Sequence, residues 1–266
     1  MSDDETAITV VSLVIGLILW FRWYLRVARV SRRLSSPARR LPLMLTPPAA
    51  AGGLLIVLRL FADDEVRYAP QYLLLYSAMG FAWTGVFIHV MASMGLCARD
   101  DVAERNNAAA VPALMGAILG SMGAFAGGNI GEGPGWWVVV FSSGLATITL
   151  LAMWIIFDRT CHVIEHVTVD RDPATGWRAG AMLLATGAIT GRAAAGDWES
   201  PIGTVIDFAV LGWPAALVLM IAILLERVFG VKPQHEPGGA FLTGFLPGLV
   251  LLSLATAYLV LLGWWT

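Results

Sequence analysis

Eight stretches of the chain, 7–21, 41–62, 70–98, 108–128, 135–157, 176–196, 203–225 and 240–265, are almost wholly apolar, and charged turns separate them. Each approaches or exceeds the roughly 20 residues a helix needs to cross a hydrocarbon core of about 30 Å. Few folds accept such a pattern. In lipid every backbone N–H and C=O must be satisfied within its own segment, so the stretches read as helices and the chain as an all-α integral membrane protein with about eight transmembrane helices. The second stretch carries Pro47 and Pro48 and is expected to kink or re-enter unless neighbours re-satisfy its backbone.

Composition agrees. Hydrophobic residues make up 58% of the chain and charged residues 14%, with a mean hydropathy of +0.73. Soluble domains run near roughly 45–50% and about 25%. Asp3, Asp4 and Glu5 precede the first stretch where a secretory signal would be basic, so this stretch reads as an uncleaved span.

The basic residues fix an orientation. With eight spans, Arg22, Arg26, Arg29, Arg32, Arg33, Arg39, Arg40, Arg99, Arg105, Arg159, Arg171, Arg178, Arg227 and Lys232 fall on one side, and only Arg59, Arg67 and Arg192 on the other. The positive-inside rule makes the richer side cytoplasmic and places both termini outside. Trp20, Trp23, Trp136, Trp137, Trp154, Trp177, Trp198, Trp264 and Trp265 fall near span ends, where amphipathic rings sit at the interface.

Spacing divides the chain further. Arg40, Arg105 and Arg171 precede small-residue helices at intervals of 65 and 66 residues, and Glu236 follows another 65 on. The unit is a helical hairpin containing two spans, so successive copies keep one orientation and form tandem parallel repeats. Residues 1–98 form a diverged or added portion, 99–200 the core with the charged turn and Gly/Ala-rich helix repeated, and 201–266 a degenerate last hairpin. Gly116, Gly120, Ala124 and Gly128 recur every fourth residue, Gly187, Gly191 and Ala195 repeat the step, and Gly244 and Gly248 sketch it again. Small-xxx-small faces let helix backbones approach closely in lipid. They predict either a tight bundle core or a bare face lining a path.

At Arg99–Asn129 the residues resemble a family. Asn106-Asn107-Ala108-Ala109-Ala110, followed by a glycine-stepped helix and by a second such turn about 65 residues on, resembles the YjfL-like bacterial inner-membrane proteins with domain of unknown function 350. The resemblance covers about residues 99–200. The second copy departs from it, with Asp170-Arg171-Asp172-Pro173 where asparagine is expected. The resemblance implies a bacterial inner (plasma) membrane location and a duplicated hairpin domain. It carries over no catalytic residue.

Candidate polar residues are few. Arg192, Asp197 and Asp207 cluster near the outer ends of the sixth and seventh spans, with Glu132 in another outer loop. They predict an Arg192–Asp207 ion pair clamping that hairpin, or a relay or transport site. On the inner side, Asn106 and Asn107 read as helix caps or as an anion or partner site, with Asp101, Glu104 and Asp172 as turn or first-turn acids. His89 reads as a hydrogen-bonded core histidine or a proton carrier. His162 and His166 sit four apart, a pair short of the donors a metal site needs, and read as a solvated helix extension. Ser142-Ser143-Gly144 has no histidine in reach, and no phosphate loop, haem pair or other cofactor motif is present.

A non-enzymatic membrane protein is therefore expected, homo-oligomeric or part of a membrane complex in the lipid bilayer. Arg22, Arg26, Arg29 and Arg33 share one helix face, which serves as topology signal and headgroup contact or docks an acidic cytoplasmic protein partner, with no role for nucleic acid. The alternative is a channel or transporter with a narrow Gly-lined path near Arg192 and Asp207.

Overall fold

Helix α1, Asp3–Arg29, starts in a capping box: Glu5 N–H donates to Ser2 Oγ at 3.2 Å and Ser2 N–H to Glu5 Oε2 at 2.7 Å. The acidic N-terminus is thus a cap, and Arg26 and Arg29 complement the other end of the dipole. The structure is a computed structural model and describes residues 1–30, 37–230 and 239–263; the readings on Arg32, Arg33, Lys232, Glu236, Trp264 and Trp265 lie outside the described residues.

Helix α2, Pro37–Phe61, is one continuous helix although Pro42, Pro47 and Pro48 lie inside it. Pro48 has no N–H for the carbonyl four residues back, that of Met44. The Tyr24 hydroxyl of α1 donates to that carbonyl at 2.8 Å instead. At about 37 Å the helix is long enough to cross a bilayer.

The short α3, Asp64–Tyr68, leads into α4, Pro70–Ser93. The sequence predicts a span reaching Ala98, but the helix stops earlier. Gly95 adopts φ +109°, and Leu96 N–H turns back to the Met91 carbonyl at 3.1 Å, a Schellman-type close. A π-helical turn, Ala98–Glu104, precedes α5, Ala110–Gly127. Then come α6, Trp136–Cys161; α7, Val163–Thr168; and α8, Pro173–Ala193.

The seventh expected span is broken. Helices α9, Pro201–Gly212, and α10, Pro214–Phe229, meet at a 40° bend where Pro214 cannot continue the ladder. Tyr258 of α11, Leu246–Leu262, donates to the Leu211 carbonyl at that break at 2.7 Å. A π-helical turn, Phe241–Phe245, opens α11.

All described secondary structure is helical apart from one isolated bridge, Ala62 to Gly131. Six helices are long and apolar enough to cross a membrane, and the bent α9–α10 pair makes up to seven. Helix α8 is not among them. It carries Arg178 and Arg192 on a Gly-, Ala- and Thr-rich sequence, and 17 of its 21 residues are buried. A helix wrapped by protein has no need to be apolar towards lipid. Helices α2, α5, α8 and α11 pack in that order, each on the next, with α4, α6 and α10 closing against this row and α1 against α4.

Backbone geometry recurs along the chain. Asp101 N–H donates to Cys97 O and Asn107 N–H to Asp101 O; 65 residues later His166 donates to His162 O and Asp172 to His166 O, all at 2.9–3.0 Å. Asn106 and Arg171 both take left-handed backbone, φ 51° and 56°, and so do Gly131 and Gly196, φ 107° and 141°.

Candidate functional site

The glycine steps face each other. Helices α5 and α8 run parallel in direct backbone contact: a Cβ on Gly116 would fall on the Gly180 carbonyl, one on Gly120 on Leu183, one on Gly187 on Gly120, and one on Gly191 on Gly123. No room for a solvated path remains between these backbones. The register differs from a simple four-residue step. Gly127, not Gly128, meets Gly191, while Gly128 packs on Ser143 of α6. Gly244 lies against Ala174 and Gly248 against Trp177 and Ala181, so α11 covers another side of α8.

At the Asp172 end of α8 sits a buried charge cluster. Asp172, 1% exposed, caps α8 by accepting Ala174 N–H and Thr175 N–H, each at 3.1 Å. One turn on, Arg178 is fully buried and donates Nε to Glu226 Oε2 at 2.6 Å and Nη2 to Glu226 Oε1 at 2.8 Å. Its Nη1 donates to the Thr243 carbonyl in the turn before α11. The Thr175 hydroxyl accepts from Arg178 Nη2 at 3.0 Å and lies 2.8 Å from Asp172 Oδ2 and 2.6 Å from Glu226 Oε1. A hydroxyl has one hydrogen, so it donates to one carboxylate at a time. Two acids face one guanidinium, and the positive end of the α8 dipole supports the second acid. The cluster ties α8, α10 and the α11 turn together.

Sequence reasoning missed most of this cluster. Asp172 was expected as a turn acid, but Arg178 read as a topology marker, and Thr175 and Glu226 carried no reading. The available signal was an isolated glutamate ending an apolar span.

Around the same end, Asn107 is 1% exposed. Its Oδ1 accepts Ala109 N–H at 2.9 Å, and its Nδ2 donates to the Val167 carbonyl at 2.6 Å, stitching the two recurring turns together. Asn106 supplies the left-handed residue before it, and its carbonyl accepts from Arg39. Asp101 is buried, accepting Cys97 N–H at 2.8 Å and Arg105 Nη1 at 3.1 Å. Burial pushes its carboxyl above the ordinary range, and these two donors pull it part of the way back. Glu104 pairs with Arg99 at 2.8 Å on the surface. His162 sits in left-handed backbone between α6 and α7, and His166 pairs with Asp170 at 2.7 Å. His89 Nδ1 lies 2.9 Å from the Gly85 carbonyl. Among the described residues no three His, Cys, Asp or Glu converge as metal ligands would.

At the opposite end Arg192 and Asp207 stay apart while Asp197 and Glu132 meet. Arg192 is buried and donates Nε to the Gly263 carbonyl at 3.1 Å. Asp207 is exposed on α9 and has no ion pair or hydrogen bond with Arg192 among the described residues. Asp197 Oδ1 accepts Glu132 N–H at 2.8 Å, and Trp198 N–H donates to Glu132 O at 2.8 Å, lacing the α5–α6 loop to the α8–α9 loop. On α1, Arg22, Arg26 and Arg29 are exposed while Trp23 and Val27 are buried.

Scans of the chain against protein-family models, curated proteins and solved structures give no match.

Proposed function

We propose that the chain is a non-catalytic membrane assembly component of eight spans, built from tandem parallel helical hairpins with both termini outside. The YjfL-like resemblance over residues 99–200 and a bacterial inner-membrane location belong to this proposal. The 65-residue recurrence of turn hydrogen bonds and left-handed residues supports the repeat reading. The span that raises the seven to eight is α8, sixth in chain order, whose arginines are tolerated because protein surrounds them.

One observation carries the functional reading. Arg22, Arg26 and Arg29 form an exposed basic stripe on α1 with no acidic partner among the described residues, while the glycine faces that would line a path are closed on each other. A basic stripe beside α5 and α8 packed backbone to backbone fits docking of an acidic cytoplasmic protein better than conduction. The test extracts the protein into native-lipid nanodiscs and compares particle mass for the unmodified chain and the variant with Arg22, Arg26 and Arg29 all changed to Glu. Loss of a defined added mass in the variant is expected. Equal masses, or ion leak from proteoliposomes of the pure chain, would sink the reading.

The topology is tested separately in a background lacking Cys97 and Cys161. Single cysteines at Asp64 and Glu132 should label with an impermeant maleimide from outside. Those at Arg99 and Glu165 should label only after the membrane is opened.

A further inference from the structure

At the Glu132 end lies a polar cavity of about 50 Å³ whose inner wall includes Tyr76, Asn129 and Ser142. These residues are 7%, 6% and 4% exposed, so all three are more than nine-tenths buried. Each brings an oxygen without a hydrogen-bond partner among the described residues. Asn129 spends its Nδ2 on the Phe125 carbonyl at 2.8 Å, which leaves Oδ1 unpaired. The Tyr76 and Ser142 hydroxyls have none either. Neighbouring Ser143 shows the usual solution, donating to the Phe125 carbonyl at 2.9 Å. Buried polar atoms in folded proteins are nearly always paired, so the enclosed and unpaired Asn129 Oδ1, with the Tyr76 and Ser142 side chains lining the same cavity, marks a place for something else to bind.

Charge at the entrance says what kind. Asp63 and Glu132 line the cavity, which continues into a wider hollow of about 480 Å³ lined also by Glu5 and Glu65. Among the described residues no basic side chain lines either space. Nearby Arg67 is held by Asp64 at 3.3 Å. Like-signed clefts concentrate ions of the opposite charge.

We propose that this cavity binds a compact monovalent cation, a primary ammonium group or an alkali ion, against Asn129 Oδ1, Ser142 Oγ and Tyr76 Oη, with Asp63 and Glu132 guarding its mouth. An ammonium has three N–H donors for three acceptor oxygens. An alkali ion takes the same neutral oxygens as ligands. A divalent ion fits poorly, since carboxylates supply its charge balance and here they stay at the rim, with no three acidic or histidine side chains converging among the described residues.

The test titrates the purified full chain in detergent with methylammonium, sodium and potassium chlorides by calorimetry, against N-methylglucamine chloride at equal ionic strength. The double variant Tyr76→Phe with Ser142→Ala deletes two hydroxyls and little volume. Its thermal unfolding midpoint in N-methylglucamine chloride checks the fold. Saturable binding of methylammonium alone identifies an ammonium site, and binding of sodium or potassium an ion site. Either supports the proposal provided that the double variant weakens it at least about tenfold with the midpoint kept, the loss expected for two hydrogen-bond acceptors. Absence of saturable binding by all three salts, or undiminished affinity in a folded double variant, overturns it, and the cavity then holds water alone.

Discussion

Arg178 and Glu226 share two charge-assisted hydrogen bonds, Nε to Oε2 at 2.6 Å and Nη2 to Oε1 at 2.8 Å, although 48 residues separate them in the chain. Both are buried, at 0% and 3% exposure. Desolvating such a pair consumes much of the Coulomb gain, so its net contribution is small, but removing one partner strands the other. Glu226→Leu should therefore cost about 3–5 kcal/mol of stability. Arg178→Met combined with Glu226→Leu should cost less than either single change. Denaturant unfolding of the four proteins in one detergent gives the cycle, and strict additivity would refute the coupling.

The glycine seam predicts a contrast between two identical substitutions. In Gly116→Ala the new methyl meets the Gly180 backbone, which cannot rotate away, so α5 and α8 must separate. Overpacking of this kind costs about 1–3 kcal/mol. Gly144 on α6 has nothing within 4 Å of its would-be Cβ. There the gain in helix propensity stands alone, and Gly144→Ala should be neutral or stabilising by up to about 1 kcal/mol. Equal melting points for the two variants would contradict the close approach of α5 and α8.

Acid titration offers a third check, through Asp101. Burial raises its carboxyl pKa in the folded chain, so the folded state holds that proton more tightly than the unfolded one. Its contribution is then fully present below the ordinary carboxylate value near about 4 and is lost as pH rises through the folded value. Asp101→Asn, which still offers Cys97 N–H an acceptor, should flatten that part of the stability profile. Unfolding midpoints followed upward in pH from the ordinary carboxylate value measure it, and an unchanged slope would show that Asp101 does not titrate there.

What could be read from the chain follows the range of each interaction. Helix positions and the presence of close-packing glycines depend on neighbours within a few residues, and sequence spacing displays them, whereas Asn107, expected as a cap, accepts Ala109 N–H ahead of a helix whose N-cap is Ala109. The Arg178–Glu226 pair does not, because it depends on how α10 is placed against α8. Arg192 and Asp207 illustrate the converse. They lie close along the chain, yet Asp207 points outward on α9 while Arg192 turns to the Gly263 carbonyl. The stretch 176–196 reads as a span in sequence, yet α8 is mostly buried among other helices and is not one of those apolar enough to face lipid.

The two recurring turns differ in one atom type, and that difference is testable. Asn107 and Asp172 both accept an N–H two residues ahead, from Ala109 at 2.9 Å and Ala174 at 3.1 Å. Asn107 must also donate, because its Nδ2 meets the Val167 carbonyl at 2.6 Å. In Asn107→Asp a carboxylate oxygen would face that carbonyl in a buried site, leaving two acceptors opposed. Asp172 accepts from Ala174 and Thr175 N–H, and it lies 3.8 Å from the Arg178 guanidinium. Asp172→Asn keeps an oxygen for the cap and gives up charge that the cluster partly duplicates through Glu226. Asn107→Asp should therefore lower stability by about 1–3 kcal/mol, more than Asp172→Asn. Thermal unfolding of the two variants decides it, and the reverse order would mean that the charge at Asp172, not the donor at Asn107, holds the turns together.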